Sequence, residues 1–196
     1  TPNLNRLAKE GVFFNNFYAA GPNCSPSRTG LMTGKSPAKV GMYSYRPPQH
    51  PLHLPVKEET LAELLKSKGY QTAHIGKWHL GELTENSGLN HPKPHRQGFD
   101  YSLGTENNAE PSHLNPINFI RNGKALGLVE GYSCQIVAQE CMDWLNQKSE
   151  DPFFLYVAFH EPHAKVASPP KLVEKYADRS LKDAKYLANI DHLDMA

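Results

Sequence analysis

Cys24 and Arg28 stand one helical turn apart in Asn23-Cys24-Ser25-Pro26-Ser27-Arg28-Thr29-Gly30-Leu31-Met32-Thr33-Gly34. The stretch reads as a short helix: Ser25 is a cap-type residue, Pro26 suits a first turn, Leu31 and Met32 are apolar, and Gly34 stops it. The amino end of such a helix offers unpaired N–H groups and partial positive charge, and Arg28 adds a fixed cation, so an anion is stabilised beside the thiol. On residue type alone a second reading stands, with Cys24 a small buried hydrophobe and Arg28 a surface charge. A phosphate-binding loop fails on spacing, because Gly34-Lys35-Ser36 supplies its tail but Thr29 stands where a glycine is required. A cysteine phosphatase cradle needs more backbone between nucleophile and arginine than this segment provides.

Two further clusters could serve the same anion. In Gly76-Lys77-Trp78-His79, residues 77 and 79 fall on one side of an extended chain, where a lysine offers a point charge and an imidazole a proton acceptor near neutral pH. By itself a Lys-x-His pair is more often solvated surface. His160-Glu161-Pro162-His163 follows the apolar run Phe153 to Phe159. It lacks the spacing of a metalloprotease motif, so His163 is the ligand candidate and His160 a packing or hydrogen-bonding residue. His50 and His53 lack the helical context of a zinc pair.

The elements that must position these groups follow from periodicity. Asn3 to Glu10 predicts a helix with Leu4, Leu7 and Ala8 inward, and Val12 to Tyr18 a strand, so that Cys24 would sit between strand and helix. Ser36 to Pro55 is a proline-rich loop, either rimming a site or making a rigid surface excursion. Glu58 to Ser67 predicts a helix with Leu61, Leu64 and Leu65 on one face; Tyr70 to Ile75 and Tyr101 to Gly104 predict strands. Residues 82 to 131 are poorly periodic, apart from a hairpin turn at Arg121-Asn122-Gly123-Lys124. A helix from Tyr132 to Gln147 places Cys134, Val137, Cys141 and Trp144 along its inner stripe. Those two cysteines lie about 10 Å apart along the axis, beyond disulfide reach. Phe153 to Phe159 reads as a strand buried on both faces of a parallel sheet, with its ligand at the carboxyl end. Arg179 to Leu193 predicts a last helix with Leu181, Ala184, Ala188 and Asp191 along one side.

Cys-x-Pro-x-Arg followed by Thr-Gly resembles the signature of type I sulfatases, and the resemblance extends further. Gly69-Tyr70-Gln71-Thr72-Ala73-His74-Ile75-Gly76-Lys77-Trp78-His79-Leu80-Gly81 looks like the second signature of that family. Thr1-Pro2-Asn3-Leu4, Gly98-Phe99-Asp100 and Pro162-His163 are similar to family positions in the same order. The resemblance implies an α/β, alkaline phosphatase-like fold, a mostly parallel mixed sheet flanked by helices and incomplete in this chain. Residues 1–196 would be part of one catalytic domain, without the first strand's aspartate pair and the later Asp-Asn strand.

The activity implied is sulfuric ester hydrolysis on a sulfated sugar or aryl sulfate, with Cys24 oxidised to formylglycine by a separate maturation enzyme. Ca2+ would be bound by formylglycine 24 and by ligands outside the chain. In the same resemblance Arg28 steadies the modified residue, Lys77 bridges it to sulfate, His79 takes its proton, and His163 contacts sulfate. Asn107 and His113 fall where the family varies its substrate contacts. A phosphonate or phosphate ester hydrolase of the same superfamily, and a non-catalytic glycan binder or inactive fragment, are the rival readings. The family places such enzymes in the periplasm, outside the cell or in the lysosome.

Composition limits the partners. Twenty-one basic against 20 acidic side chains leave a net charge of +1, and 39% hydrophobic residues is ordinary for a globular core. No global field points to nucleic acid or an anionic membrane. No apolar run reaches membrane-spanning length, no secretion signal is visible, and three cysteines form no disulfide framework.

Overall fold

The computed structural model describes residues 1–84, 91–148 and 150–196; residues 85–90, within the aperiodic stretch, lie outside it. In chain order the elements are α1 (Pro2–Glu10), α2 (Cys24–Thr33), α3 (Pro37–Val40), α4 (Leu61–Lys66), β1 (Gln71–Lys77), a 3-10 turn (Pro94–Gln97) and β2 (Tyr101–Thr105). They continue with β3 (Ile120–Arg121), β4 (Lys124–Ala125), α5 (Ser133–Gln147), β5 (Phe153–Ala158), α6 (Pro170–Glu174) and α7 (Leu181–Met195). The strands form one mixed sheet in the order β4-β3-β2-β1-β5. β1 is parallel to both β2 and β5, and the β3–β4 hairpin adds antiparallel to β2.

Parallel pairing matters to function because it brings the carboxyl ends of β1, β2 and β5 to one edge. The strands close tightly just before that edge. Gly76 faces Gly104 on one side and Ala158 on the other, and a Cβ on Gly104 would stand 1.7 Å from the Gly76 carbonyl oxygen. Gly76 itself has φ +116, and a Cβ there would meet the Ala158 oxygen at 2.0 Å. Side chains at either glycine would push the strand ends apart.

Each face of the sheet carries apolar packing. On one side Met32, Met42, Leu54, Ala62, Trp78 and Phe99 pack together. On the other, Ile75, Leu103 and Phe119 meet Val137 and Cys141 of α5. The inner stripe of α5 is the expected one: Cys134, Val137 and Cys141 are buried, and all three cysteines are free. Burial pushes the Cys134 thiol up to about 12 and the Cys141 thiol up to about 11. The β3–β4 turn also forms as read, with Asn122 and Gly123 both at positive φ.

Several expectations are corrected. Val12 to Tyr18 forms no strand, and its aromatic residues are exposed; apolar content signals a tendency to be covered but does not supply a pairing partner. α1 forms, yet Leu4 and Leu7 are exposed, and its described anchor is polar. The Asp194 carboxylate of α7 accepts the Asn3 and Leu4 N–H groups at 3.0 and 2.8 Å, capping α1 from outside. α4 begins at Leu61, because Thr60 and Glu63 form a reciprocal capping box. Its buried residue is Ala62, while Leu61 and Leu64 are exposed. β5 is parallel as expected, but it lies at the sheet's edge with Phe153 and Val157 exposed, so it is not covered on both faces. On α7, Ala184 and Ala188 face inward, Leu181 is exposed, and Asp191 pairs with Lys175 at 2.6 Å. No helix among the described residues is long and apolar enough to cross a membrane.

Candidate active site

Cys24 is the first residue of α2, after the N-cap Asn23, and Gly34 ends the helix in the left-handed conformation. Ser25 is therefore inside the helix and does not cap it. Its hydroxyl instead accepts the Arg46 N–H at 3.0 Å, tying the proline-rich loop to the helix mouth. That loop turns inward at Arg46 and Leu54, which are buried. Cys24 itself is half-buried.

Arg28 fastens α2 to the sheet. Its Nη1 donates to the Lys77 carbonyl at 2.6 Å and lies 3.2 Å from the Tyr156 hydroxyl of β5. The guanidinium is thus fixed at the edge where β1 ends. Lys77, only 3% exposed, sends Nζ to Asn108 Oδ1 at 3.0 Å. Burial first, and then Arg28, lower its pKa to about 8, while a thiolate at Cys24 would work in the opposite direction.

His79 reaches the site by a different route from the one alternation suggests. It has φ +56, so the chain leaves extended geometry there. A side chain in this region is strained by about 1–3 kcal/mol. The turn is held because Trp78 and His79 donate to the Thr105 and Glu106 carbonyls, each at 3.0 Å. The ring is 1% exposed, and Nε2 donates to the Arg46 carbonyl at 2.8 Å. That bond fixes the tautomer and leaves Nδ1 as a buried acceptor without a partner. Burial, followed by Lys77, brings the pKa down to about 3, so the ring is neutral at physiological pH.

A cavity of about 190 Å³ opens beside His79, with Arg46, Glu106, Asn107 and Asn108 in its wall. Asn107, one of the two candidate substrate contacts, lines this cavity. His113, the other candidate, does not line it: it is fully buried, and its Nδ1 accepts from Asn189 at 3.3 Å and lies 3.7 Å from Glu161. Its burial gives it a packing and hydrogen-bonding role under the loops. His163 is exposed on the turn after β5, its Nδ1–H donating to the Ala164 carbonyl at 2.9 Å, and it does not line the cavity. His160 is buried and donates from Nε2 to the Thr105 hydroxyl at 2.8 Å, the hydrogen-bonding part read for it.

Cys24, Arg28, Lys77 and His79 thus meet at one end of the sheet. The sulfatase family model matches residues 1–196. The chain belongs to the sulfatase family. It is 37% identical to human N-acetylgalactosamine-6-sulfatase over 88% of the chain and 37% of that protein. It is 35% identical to the ulvan-active sulfatase of Formosa agariphila over 92% of the chain and 34% of that protein. The crystal structure of Ps i-CgsB in complex with k-i-k-neocarrahexaose superimposes with a TM-score of 0.87 at 26% identity, covering the whole chain and 47% of that one. The chain therefore spans a third to a half of the length of these sulfatases, and its α/β fold is their alkaline phosphatase-like fold.

Family membership raises the question of metal. Calcium takes about six to eight oxygen ligands. Among the described residues no group of three or more His, Cys, Asp or Glu side chains is placed to hold a metal ion. The charged groups acting on Lys77 beside Cys24 are cationic Arg28 and the thiol itself. These residues alone do not fit a hard divalent cation.

Four participants escaped the sequence reading. Arg46 lay in a loop whose prolines masked its inward turn, and it meets Glu82 at 3.1 Å and His91 at 3.3 Å. Burial and Glu106 raise the Glu82 pKa against the pull of Arg46. Asn108 positions Lys77, and Tyr156 braces Arg28 from the third strand. An alternating strand pattern places Tyr156 on a face, but nothing local names its partner.

Proposed function

We propose that the protein is a sulfuric ester hydrolase that removes sulfate from a sulfated carbohydrate, with Cys24 as the encoded precursor of formylglycine. The observation that carries this reading is the convergence of Cys24, Arg28, Lys77 and His79 on one sheet end in a sulfatase-family chain. As the hydrated aldehyde, the modified residue would supply one oxygen to attack sulfur while the S–O bond to the ester alcohol breaks and the alcohol leaves with a proton; deprotonation of its second hydroxyl would then expel sulfate and restore the aldehyde, which water rehydrates.

The chain's own residues have separable tasks. Arg28, held between the Lys77 carbonyl and Tyr156, keeps the helix mouth against the end of β1 and presents a fixed positive charge. Lys77 offers its ammonium to a sulfate oxygen while Asn108 restrains its direction. His79, neutral and with Nδ1 unprotonated, is set to accept a proton from the hydroxyl at position 24. His163 is a sulfate contact in this reading, reached from the turn after β5, and Asn107 a contact to the sugar. The N-acetylgalactosamine-6-sulfatase and the k-i-k-neocarrahexaose complex among the proteins it resembles support a sulfated carbohydrate as substrate.

Turnover of 4-nitrophenyl sulfate against 4-nitrophenyl phenylphosphonate by the full-length protein, coexpressed with a formylglycine-generating enzyme, tests the reading. The sulfate ester is expected to react faster. A higher kcat/KM for the phosphonate would transfer the protein to the phosphorus-cleaving branch.

A further inference from the structure

We propose that the cavity beside His79 is a single-ring subsite for a neutral, hydroxyl-bearing sugar, and that it discriminates against a second sulfate on the ring that carries the scissile ester. The inference rests on the sulfatase reading above and specifies which sulfated carbohydrates that site accepts.

Size comes first. At about 190 Å³ the cavity falls below the roughly 300–1,000 Å³ of pockets for drug-sized ligands, which leaves room for one ring and not for an oligosaccharide. Its position ties it to the anion site, since Asn108 both lines the cavity and receives the Lys77 ammonium. A ring seated here would have its sulfate beside Lys77 and its remaining substituents toward Glu106 and Asn107.

The atoms available to those substituents are mixed in kind. Asn108 uses Oδ1 on Lys77 and keeps its Nδ2 donors, whereas the Asn107 side chain forms no hydrogen bond among the described residues. Glu106 accepts the Leu83 N–H with Oε1 at 3.0 Å and keeps Oε2. A hydroxyl both donates and accepts, so it satisfies every one of these atoms. Sulfate only accepts, so it would leave Glu106 Oε2 facing lone pairs with lone pairs.

Charge reinforces the selection. The Arg46 guanidinium in the wall is already engaged by the buried Glu82 at 3.1 Å, and Glu110 at the rim is paired with Lys165 at 3.2 Å. Among the described residues no cation is paired with Glu106. Among the described residues its carboxylate thus faces a second sulfate without an ion-pair partner of its own, and like charges brought together at an interface are strongly disfavoured.

The test uses the full-length protein carrying Cys24→Ala, so that binding is read without turnover. Calorimetric affinities are measured for galactose 2-, 3-, 4- and 6-sulfate and for disulfates that contain each of these esters. The best monosulfate is expected to bind at least about tenfold more tightly than any disulfate sharing its ester. Adding Glu106→Gln, which keeps the acceptor for Leu83 and removes the charge, is expected to shrink that ratio by about threefold or more. A disulfate that binds as tightly as the monosulfate, a ratio unmoved by Glu106→Gln, or no binding by any monosulfate would overturn the proposal. Turnover of 4-nitrophenyl sulfate by the matured protein, which places no sugar in the cavity, reports separately on the sulfatase reading.

Discussion

The two ends of the central strands are built to opposite rules. At the amino ends of β1 and β2 two polar clusters, Tyr101 with Arg121 and Glu140 and Thr72 with Asp100 and Lys66, are closed upon themselves. Glu140 receives Arg121 twice, at 2.9 and 2.6 Å, and also the Tyr101 hydroxyl. Asp100 accepts the Thr72 N–H and hydroxyl and pairs with Lys66. A cavity of about 590 Å³ opens there, larger than the one beside His79, but Tyr101, Arg121 and Glu140 in its wall already satisfy one another. At the carboxyl ends the pattern reverses: His79 Nδ1, His160 Nδ1, Arg46 Nε and Glu82 Oε2 are buried without partners, and Arg28 and Lys77 bring like charges together. Unsatisfied buried groups and repelling cations reduce stability, and such groups persist where a ligand completes them. Cavity size alone would point to the end opposite the proposed site.

Substitutions at each end should therefore separate activity from stability. The largest expected effect is on Cys24→Ala in the matured full-length protein, where loss of the nucleophile should lower kcat by about 10⁴-fold or more. Its thermal midpoint should stay within about 2 °C, since a half-buried methylene-thiol contributes little packing. Lys77→Ala should lower kcat/KM by about 10²–10³-fold. Lys77 also sets an alkaline limit: it is charged below about 8, and as pH rises through that value the ammonium, and with it the affinity for sulfate, is lost. A pH series of sulfate inhibition should show this limb, and Lys77→Arg should carry it upward.

At the opposite end, Glu140→Ala should cost about 1–3 kcal/mol in denaturant unfolding, because it strands Arg121 and Tyr101, while turnover of 4-nitrophenyl sulfate is unchanged. Asp100→Asn should have the smallest effect, below about 1 kcal/mol, since both members of its ion pair are about half exposed. Hydrogen bonds to Lys66 and Thr72, working against burial, hold the Asp100 carboxyl below its usual range. Its contribution is thus complete above the unfolded carboxylate value and is lost as pH falls through the folded one. An acid titration of stability should be shallower in Asp100→Asn.

Much of this arrangement was legible in the chain, for reasons that differ by region. The runs 71–77 and 153–158 declared themselves as strands because a short apolar segment ending in polar residues has few other solutions, and the hairpin at Asn122-Gly123 follows from left-handed turn chemistry. Cys24, Arg28, Lys77 and His79 were singled out because local spacing carries their motif, and the structure brings them to one sheet end. What spacing could not carry was geometry between segments: the positive φ at His79, the inward turn of Arg46, and the bond from Lys77 to Asn108 across the strand ends. Burial was also misread wherever a covering surface was assumed, as at Leu4, Leu64 and the run from Val12 to Tyr18. His113 shows the converse, a histidine in a loop-like stretch that proves to be fully enclosed.

The central claim is that Cys24 is the precursor of an aldehyde at an anion site, and mass spectrometry of its peptide tests this most directly. The peptide should be taken from catalytically active full-length protein after coexpression with the maturation enzyme. The predicted result is loss of sulfur at position 24 with gain of an aldehyde or its hydrate. An unmodified thiol in protein that turns over sulfate esters would contradict it.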